Sequence, residues 1–516
     1  MSTTDTADRS SALAEATPPE RPGGWRELTP RARRWIVWIL SATMALVLLA
    51  VLILPRFIGT RGVHSWNLFH YMIGTKYFDE LGYFEIYNAT LLADAQNGRV
   101  FAKLPSTRDL RTYRIIRTQT ALQRARRSNL RARFTKQRWR SFEEDLRAIQ
   151  KQRSARFWAG PLTDRGFNPS PAWLLVHKPL LSQVRFGNDR LLLGLCYLQI
   201  PLFVLTFIGV WWAFGLRGTI LFVLWFGCYF GNGPRVFGGY FSYDWFFLTT
   251  WSVILYARGR YIAAGPLLAY AAMMRGIPGI LALYPALQWI GSVVRWRRPE
   301  RRHTQFLASL ALSALLIFGL TLLQKGGLST WSSWKDKITL HAKKHELPAE
   351  RVGMRLIFAQ DFQKGRWHMS NPEREKVIAR NRSAYRAVAG VLLALFLLTM
   401  LRRDDLDGMF LGLGVVFVVL IASRYYWSLA AFFMLWGTFD RRRILNKVSV
   451  AYLFGLLILF AVQYFAWKAN MRLRWYTFSW GLLLYFVGIA LWFAVQDVRW
   501  LNERYREWTR SRAGAA

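Results

Sequence analysis

The chain has few cysteines and few acidic residues. Its 2 cysteines, Cys196 and Cys228, lie inside apolar runs, which argues against a disulfide framework or a cysteine-based metal site and favours two buried thiols. Aspartate and glutamate together number 30, against 70 lysines and arginines. No Walker motif and no dinucleotide-binding glycine motif is present, and no pattern typical of a cleaved signal peptide is visible. The sequence therefore offers no support for an ATPase, a dinucleotide-dependent enzyme or a disulfide-stabilised domain.

Hydrophobic residues, by contrast, make up 53% of the chain, with 36 Phe, 25 Trp and 21 Tyr. Because charged residues are also plentiful, the apolar residues must be gathered into blocks. A helix needs about 20 mainly apolar residues to cross the hydrocarbon core of a membrane, and runs of that kind recur along most of the chain. We therefore predict an all-α, polytopic transmembrane helix bundle of about 11–12 membrane segments, some of them short or broken.

The order of apolar blocks and basic loops predicts the organisation and orientation of the chain. A basic cluster, Arg31, Arg33 and Arg34, precedes the first block, and arginine recurs in every short loop assigned to the cytoplasm, as the positive-inside rule requires. We expect cytoplasmic N- and C-termini in a bacterial inner (plasma) membrane. The predicted units are a disordered N-terminus (1–34), a first transmembrane helix (35–58), a large basic extracytoplasmic loop (59–190), a transmembrane core (191–323), a second extracytoplasmic loop (324–385), C-terminal transmembrane helices (386–495) and a basic tail (496–516).

Two stretches are predicted to be pairs of short helices rather than single crossings. Residues 261–290 are divided near 275–278, because this division keeps the following arginine cluster in the cytoplasm. Residues 408–422 and 428–439 are likewise predicted to be short segments, and they meet outside at 423–427. Both breaks would therefore lie on the extracytoplasmic side.

The first extracytoplasmic loop is strongly basic. Between residues 99 and 165 it carries 19 Lys or Arg against 5 acids, and six arginines recur at spacings compatible with a basic helix. Two interpretations stay open: a solvated helix that lies over anionic headgroups, or a docking surface for a polyanionic lipid or glycan acceptor. Nucleic acid is not expected as a partner, because orientation and anionic lipids already account for much of the charge. The six arginines are Arg114, Arg117, Arg124, Arg127, Arg131 and Arg138.

Three short motifs carry a resemblance to a known family. The stretch from His64 to Tyr83 contains Asn67, a Thr-Lys-Tyr step at 75–77 and a Glu-Leu-Gly-Tyr end at 80–83. A Phe-Ser-Tyr-Asp element ends at Asp244, and Ser-Arg-Tyr-Tyr-Trp occupies 423–427. In their order and predicted sidedness these motifs resemble the GT-C superfamily, the integral-membrane glycosyltransferases that use polyprenyl-phosphate-linked sugars.

The resemblance implies transfer of a sugar from a polyprenyl-phosphate donor to an extracytoplasmic lipid, glycan or protein acceptor. Such a reaction needs a base near the acceptor hydroxyl and positive or hydrogen-donating groups near the departing phosphate. Asn67 stands where the family has an aspartate, and Asn cannot accept the proton. We therefore favour Asp244 as the base, with His70 and then His64 as alternatives, and lost activity also stays open. No cofactor is certain, and dependence on a divalent metal is doubtful because acids are scarce outside.

The remaining candidate residues would bind substrate. Arg275 and Arg424 are predicted to lie near the membrane surface, where a cation often marks a binding site, although a structural partner or snorkelling is an equal alternative. Asp244 has its own structural alternative as the cap of the helix that follows it. His341 shares a helical spacing with His345, for which a polar helix face is favoured over a metal site. The further substrate-binding candidates are Tyr71, Lys76, Asn168, Tyr425 and Tyr426.

Two other functions are compatible with the sequence. A lipid or solute transporter would also use broken membrane helices. A catalytically inactive GT-C relative that binds lipid-linked sugar would explain Asn67. The transferase hypothesis makes one geometric demand, which is that Asn67 and Asp244 share a water-filled cavity at the outer membrane surface.

Overall fold

In the computed structural model, the described residues are 63–97, 100–101, 103–186, 189–229, 238–343, 351–361, 371–401, 403–435 and 471–513, with isolated positions between Thr29 and Ala42. Several predicted features lie outside the described residues. They are the disordered N-terminus, the first transmembrane helix (35–58) apart from those isolated positions, His345, the basic cluster at 441–443 and the crossing at 448–467.

Residues 63–186, here called the polar domain, form a compact folded unit where the sequence predicted a loop. The chain begins with consecutive helical turns, continues through a short β-hairpin, and ends in a helix that leads towards the membrane bundle. Its elements are α1 (Ser65–Asn67), a π-helical turn (Leu68–Ile73), α2 (Gly74–Lys76), α3 (Phe78–Leu81), α4 (Ile86–Asn97), β1 (Ser106–Arg108), β2 (Ile115–Arg117), α5 (Thr118–Arg127), a 3-10 turn (Leu130–Arg133), α6 (Lys136–Gln150), a 3-10 turn (Ala155–Trp158), α7 (Ala159–Thr163) and α8 (Pro171–Ser182).

The polar domain has an aromatic core. The rings of Phe69, Tyr87, Phe101 and Trp158 are fully buried, and Phe69 stacks on Tyr87 with ring centroids 6.1 Å apart. The amphipathic helices α5 and α6 turn their apolar positions towards this core, so their basic positions face solvent. The hydroxyl of Thr135 accepts a hydrogen bond from the backbone N–H of Arg138 and caps the start of α6.

A buried ion pair holds α2 against α6. The ammonium of Lys76 lies 2.5 Å from a carboxylate oxygen of Asp145, and both side chains are 3% exposed. Lys76 also donates to the backbone carbonyl of Val184, and Asp145 accepts from the Tyr77 hydroxyl and the Phe186 N–H. Burial lowers the pKa of Lys76, and Asp145 partly restores it. Lys76 was predicted to bind substrate; the structure instead gives it a structural role, because its ammonium is buried and already paired.

The membrane bundle and its connections follow the polar domain. The helices and strands are α9 (Asp189–Tyr197), α10 (Gln199–Cys228), α11 (Asp244–Ala257), α12 (Tyr261–Arg275), a 3-10 segment (Ile277–Ala282), α13 (Leu283–Trp296), α14 (Arg301–Leu322), α15 (Gly327–Lys343), β3 (Arg351–Val352), α16 (Met354–Ile357), α17 (Asn371–Arg380), α18 (Arg382–Met400), α19 (Asp405–Val419), β4 (Ala422–Ser423), a 3-10 segment (Arg424–Leu435) and α20 (Met471–Ala513).

The chain is mostly helical, and five helical stretches among the described residues are long and apolar enough to cross a membrane. These observations support a membrane protein with an all-α architecture. Helices α11 and α12 have 14 and 15 residues, so each is only about 21–23 Å long and packs in the bundle interior. The five candidate spans are Arg190–Leu216, Ile277–Trp296, Arg301–Leu322, Arg382–Met400 and Trp475–Val495.

Two predicted details of the bundle need correction. The segment predicted as a helix at 428–439 is a 3-10 segment that starts at Arg424, and its last described residue is Leu435. The predicted basic tail at 496–516 is not a separate element, because α20 continues without a break through Ala513. Cys196 is buried and free, as predicted; the side chain of Cys228 lies outside the described part.

The predicted break in residues 261–290 is confirmed. Helix α12 ends at Arg275, and Gly276 has a φ of 72°, a left-handed conformation that favours glycine. A second break lies inside α10 at Gly215, where φ is 73° and ψ is 171°. Each break allows the chain to reverse direction within the bundle.

Paired helices define two ends of the bundle. Asp244 begins α11 and Arg275 ends α12 at one end, called here the site end. At the opposite end the rings of Tyr256 and Tyr261 pack with centroids 5.0 Å apart. A polar cluster closes that opposite end, in which the Tyr256 hydroxyl lies 3.0 Å from His303 and Arg302 lies 2.9 Å from Asp405.

The buried Lys76–Asp145 pair predicts a large loss of stability when one partner is removed. Asp145→Ala leaves the Lys76 ammonium buried without its counter-charge, and we expect about 3–5 kcal/mol of destabilisation. The midpoint of thermal unfolding, followed by tryptophan fluorescence, measures this loss. Asp79→Ala is the matched control, since Asp79 pairs with Lys178 near the surface and should contribute about 1 kcal/mol or less. Equal shifts for the two variants would contradict the prediction.

Candidate functional site

The side chain of Asn67 joins the polar domain to the loop before α11. Its amide oxygen accepts a hydrogen bond from the Tyr240 N–H at 2.7 Å, and its amide nitrogen donates to the Ser242 hydroxyl at 2.9 Å. The side chain is buried, so both of its polar groups are satisfied by this loop. Asn67 and the Ser-Tyr-Asp motif are therefore neighbours, which agrees with the proximity that the transferase hypothesis requires. The role of Asn67 in these contacts is to position the loop.

Asp244 lies two residues beyond Ser242 and faces a histidine. One carboxylate oxygen is 3.2 Å from Nε2 of His177, and the other accepts from the Trp245 N–H at 2.8 Å. Nδ1 of His177 lies 3.1 Å from the Tyr240 hydroxyl. Because a carboxylate can only accept, Nε2 of His177 carries a proton and donates to Asp244. Burial raises the pKa of Tyr240, which keeps it a hydroxyl donor.

The backbone of this loop is strained next to Asp244. Phe241 has a φ of 38°, a conformation that costs a residue with a Cβ of order 1–3 kcal/mol. The Phe241 ring is held between the rings of Tyr240 and His177, with centroids 4.9 and 5.1 Å away. Strain of this kind concentrates at functional sites, where the surroundings maintain it.

Arg275 and three tyrosines form the second part of the site. The guanidinium of Arg275 donates to the Tyr71 hydroxyl at 3.0 Å and interacts electrostatically with Tyr425, Tyr426 and Asp244. The rings of Tyr425 and Tyr426 are 4.5 Å apart. Tyr426 also packs on buried Trp245 at 5.2 Å, which brings the 424–426 turn beside the start of α11.

Four distant parts of the chain therefore converge at the site end. The polar domain contributes Asn67 and Tyr71, the start of α11 contributes Asp244, the end of α12 contributes Arg275, and the 424–426 turn contributes the tyrosine pair. The group combines one carboxylate, one guanidinium and several hydroxyls around partly buried aromatic rings. Such a group can accept a proton and bind an anion at the same time.

A second polar cluster adjoins the first through Arg351. The two-stranded β3–β4 sheet pairs Arg351 with Ser423 and so places it beside the tyrosine pair. The guanidinium of Arg351 lies 2.9 Å from Nε2 of His341, whose Nδ1 is 3.3 Å from the Tyr113 hydroxyl. Burial lowers the pKa of Arg351 to about 10, so it stays charged at neutral pH. His341, predicted to bind substrate, therefore connects the polar domain to this arginine.

Lys337 lies one turn before His341 on α15 and is an unusual lysine. It is completely buried, and its ammonium nitrogen has no hydrogen-bond partner among the described residues. The nitrogen lies 5.4 and 5.0 Å from the ring centroids of Phe84 and Tyr113. Burial lowers the pKa of Lys337 to about 7, and Asp164 opposes this only in part.

Two predicted bases have structural roles instead. Nδ1 of His64 accepts a hydrogen bond from the Asn67 N–H and caps α1. His70 is buried inside the polar domain, where it donates from Nδ1 to the Trp66 carbonyl and accepts from the Tyr87 hydroxyl. Burial lowers the pKa of His70, which keeps it neutral. Both ring nitrogens of His70 are occupied, so it is not placed to act on a substrate.

Two predicted binding residues flank the cluster without joining it. The Asn168 carbonyl accepts from the indole N–H of Trp334, which fastens α15 to the polar domain. The guanidinium of Arg424 lies 5.6 Å from the Trp475 ring, at the start of α20. Neither residue is among the contacts that join Asp244 and Arg275.

Sequence reasoning missed four polar residues of the site. His177 has only a weak sequence signal, as it follows Trp173 by one helical turn and the two rings stack 3.7 Å apart. Tyr240 and Arg351 lie in loops and short strands without a recognisable pattern. Tyr270 on α12 has a buried hydroxyl without a hydrogen-bond partner among the described residues, and it interacts electrostatically with Asp244 and Tyr240.

Within the described ranges, no group of three or more His, Cys, Asp or Glu side chains is arranged to hold a metal ion. No family model, no curated protein and no solved structure matches this chain. The geometry of its own residues is therefore what bears on function.

Lys337 predicts a pH dependence of stability. Its pKa is near 7 in the folded state and about 10.4 when unfolded, so the unfolded state binds more protons between these values and stability rises with pH across that range. Lys337→Met should raise the midpoint of thermal unfolding at pH 7 and lose that rise between pH 7 and 10. Lys335→Met, at an exposed position, is the control. An unchanged pH profile in Lys337→Met would contradict the predicted burial effect.

Proposed function

We propose that the protein is a membrane glycosyltransferase of the GT-C type, which moves a sugar from a polyprenyl-phosphate donor to an acceptor outside the cytoplasm. The observation that carries the proposal is the convergence of Asn67, Asp244, Arg275 and the Tyr425–Tyr426 pair at one end of the bundle. All of these groups except Arg275, which lies at a predicted helix break, come from the motifs that resemble this superfamily. In the proposed orientation the site end faces the extracytoplasmic side of a bacterial inner membrane.

Asp244 is the proposed base. The hydroxyl of the acceptor attacks the anomeric carbon of the sugar, the bond between that carbon and the phosphate oxygen breaks, and the proton of the hydroxyl passes to the Asp244 carboxylate. His177 donates to one oxygen of Asp244 and is itself held by Tyr240. This arrangement fixes the orientation of the carboxylate. His177 and Tyr240 are therefore positioning residues.

Arg275 is the proposed partner of the leaving phosphate. Negative charge grows on the phosphate oxygen as the glycosidic bond breaks, and a guanidinium held nearby stabilises that charge. Tyr71 fixes Arg275 by a hydrogen bond of 3.0 Å, and the hydroxyls of Tyr425 and Tyr426 supply further donors. The polyprenyl chain would lie along the apolar helices, and the phosphate would stay at the membrane surface.

Transport without chemistry is a second candidate function. Helix α12 breaks at Gly276, and Arg275 at this break interacts electrostatically with Tyr425 and Tyr426 of the 3-10 segment from Arg424 to Leu435. Interrupted helices of this kind frame the binding sites of many transporters. The two functions differ in whether the bond between sugar and phosphate is broken, so an assay for released polyprenyl phosphate separates them.

The base assignment is tested with Asp244→Asn. Purified protein in lipid nanodiscs is incubated with labelled polyprenyl-phosphate hexoses and pentoses plus acceptor extracts, and released polyprenyl phosphate is measured. We expect turnover to fall by about 10²–10⁴-fold, because the amide cannot accept a proton. The same change at Asp79, which pairs with Lys178 in the polar domain, should leave turnover within about twofold.

Three outcomes are informative in this assay. Undiminished turnover in Asp244→Asn would remove Asp244 as the base. Uptake of intact lipid-linked sugar into proteoliposomes, without any released lipid phosphate, would favour the transporter. Binding of the donor with neither transfer nor uptake would identify an inactive relative.

Arg275→Met tests the phosphate partner. We expect a loss of about 10²–10³-fold in kcat/KM for the donor, the range seen when one stabilising donor of a developing anion is removed. Arg258→Met is the matched control, since Arg258 is exposed at the opposite end of the bundle and lies over Trp212. A similar loss in both variants would indicate a general effect on folding and would count against a specific role for Arg275.

A further inference from the structure

The exposed side of the polar domain carries many arginines, which indicates a second binding surface. Helices α5 and α6 bury their apolar positions, including Leu122, Trp139 and Phe142, in the domain core. Their remaining positions are rich in arginine and face solvent. Exposed arginines also lie on the adjoining hairpin and 3-10 turn. We call these arginines together the basic face and define it by six of them: Arg126 and Arg127 on α5, Arg140 on α6, Arg114 and Arg117 on the hairpin, and Arg133 on the 3-10 turn.

The charges of the basic face are not used inside the protein. Other arginines of the same region do contact groups inside the protein. Arg124 pairs with Asp109, Arg131 stacks on Trp139, and Arg138 pairs with Glu80. The six arginines of the basic face, in contrast, form no ion pair within the part of the chain that the structure describes. Unneutralised guanidinium groups held on folded helices favour an anionic partner.

The composition of the basic face argues against insertion into a membrane surface. Helices that lie in a membrane interface direct Trp, Phe or Leu into the lipid. Among the described residues between 103 and 163, Ile115 is the one large apolar side chain that is exposed. The apolar sides of α5 and α6 are already covered by the domain core, so these helices have no apolar side to insert into lipid.

The basic face leads towards the candidate site. The β1–β2 hairpin carries Arg114 and Arg117 next to Tyr113, and the Tyr113 hydroxyl contacts His341. His341 in turn contacts Arg351, which neighbours the tyrosine pair. The hairpin that carries Arg114 and Arg117 is therefore connected to the candidate site through Tyr113, His341 and Arg351.

We propose that the basic face binds a polyanionic glycan, with repeated carboxylate or phosphate groups, as the acceptor of the proposed sugar transfer. This assignment of the acceptor rests on the proposed function. The planar guanidinium of arginine binds carboxylate and phosphate through two parallel hydrogen bonds, which suits such a repeat better than lysine does. Helix α6 alone is about 22 Å long, enough to contact several sugar units.

Binding is tested with the full chain in nanodiscs of zwitterionic lipid. The probe is oligogalacturonate, a carboxylate glycan, and the reference is neutral dextran of matched length. We expect binding of oligogalacturonate alone, weakened by added salt. A variant in which Arg117, Arg127, Arg133 and Arg140 are changed to Gln should bind at least tenfold more weakly. The same four positions changed to Lys keep the charge but lose the paired hydrogen bonds, so this matched control should bind more weakly than the wild type and more tightly than the Gln variant.

The outcomes separate this inference from its alternatives. An equal midpoint of thermal unfolding shows that the Gln variant is folded, and undiminished binding by that folded variant would overturn the proposal. Loss of co-purified phosphatidylglycerol with unchanged glycan binding would assign the basic face to the membrane instead. Sugar transfer by a wild type that does not bind the glycan would refute this inference and leave the proposed function intact.

Discussion

The amide of Asn67 supplies the contact on which the candidate site depends. It bonds to the backbone of Tyr240 and to the hydroxyl of Ser242, and so attaches the polar domain to the loop that presents Asp244. An amide can donate and accept at once, which a carboxylate in the same place could not do. The asparagine side chain therefore links the two parts of the chain, and buried His177 orients the neighbouring Asp244 carboxylate.

Charged side chains have different surroundings in different parts of the molecule. In the polar domain, a counter-charge and several hydrogen bonds accompany the buried side chains of the Lys76–Asp145 pair. Lys337 on α15 is buried without a hydrogen-bond partner among the described residues, and burial lowers its pKa to about 7. The six arginines of the basic face are exposed and form no ion pair among the described residues.

The candidate site was predictable only in part. Asn67, Tyr71, Asp244, Arg275 and the tyrosine pair were selected from three motifs and a helix break, and the structure brings them together. Lys76, His64 and His70 lie in the same first motif, yet their polar atoms are consumed by Asp145, by a helix cap and by Tyr87. Spacing along the chain cannot distinguish the site residues from the residues with structural roles, because it does not predict contacts with partners as distant as Asp145.

The sequence by itself determined the class of the protein and the places where its helices break. Apolar blocks must leave water, which determines the class. Gly276 adopts a left-handed conformation, and such a glycine interrupts a helix. The class and the helix breaks both depend on local sequence. Tertiary structure alone decided that the first long loop is a folded domain and that His177 and Arg351 accompany the site. Those facts depend on contacts between residues far apart in the chain, and only packing creates such contacts.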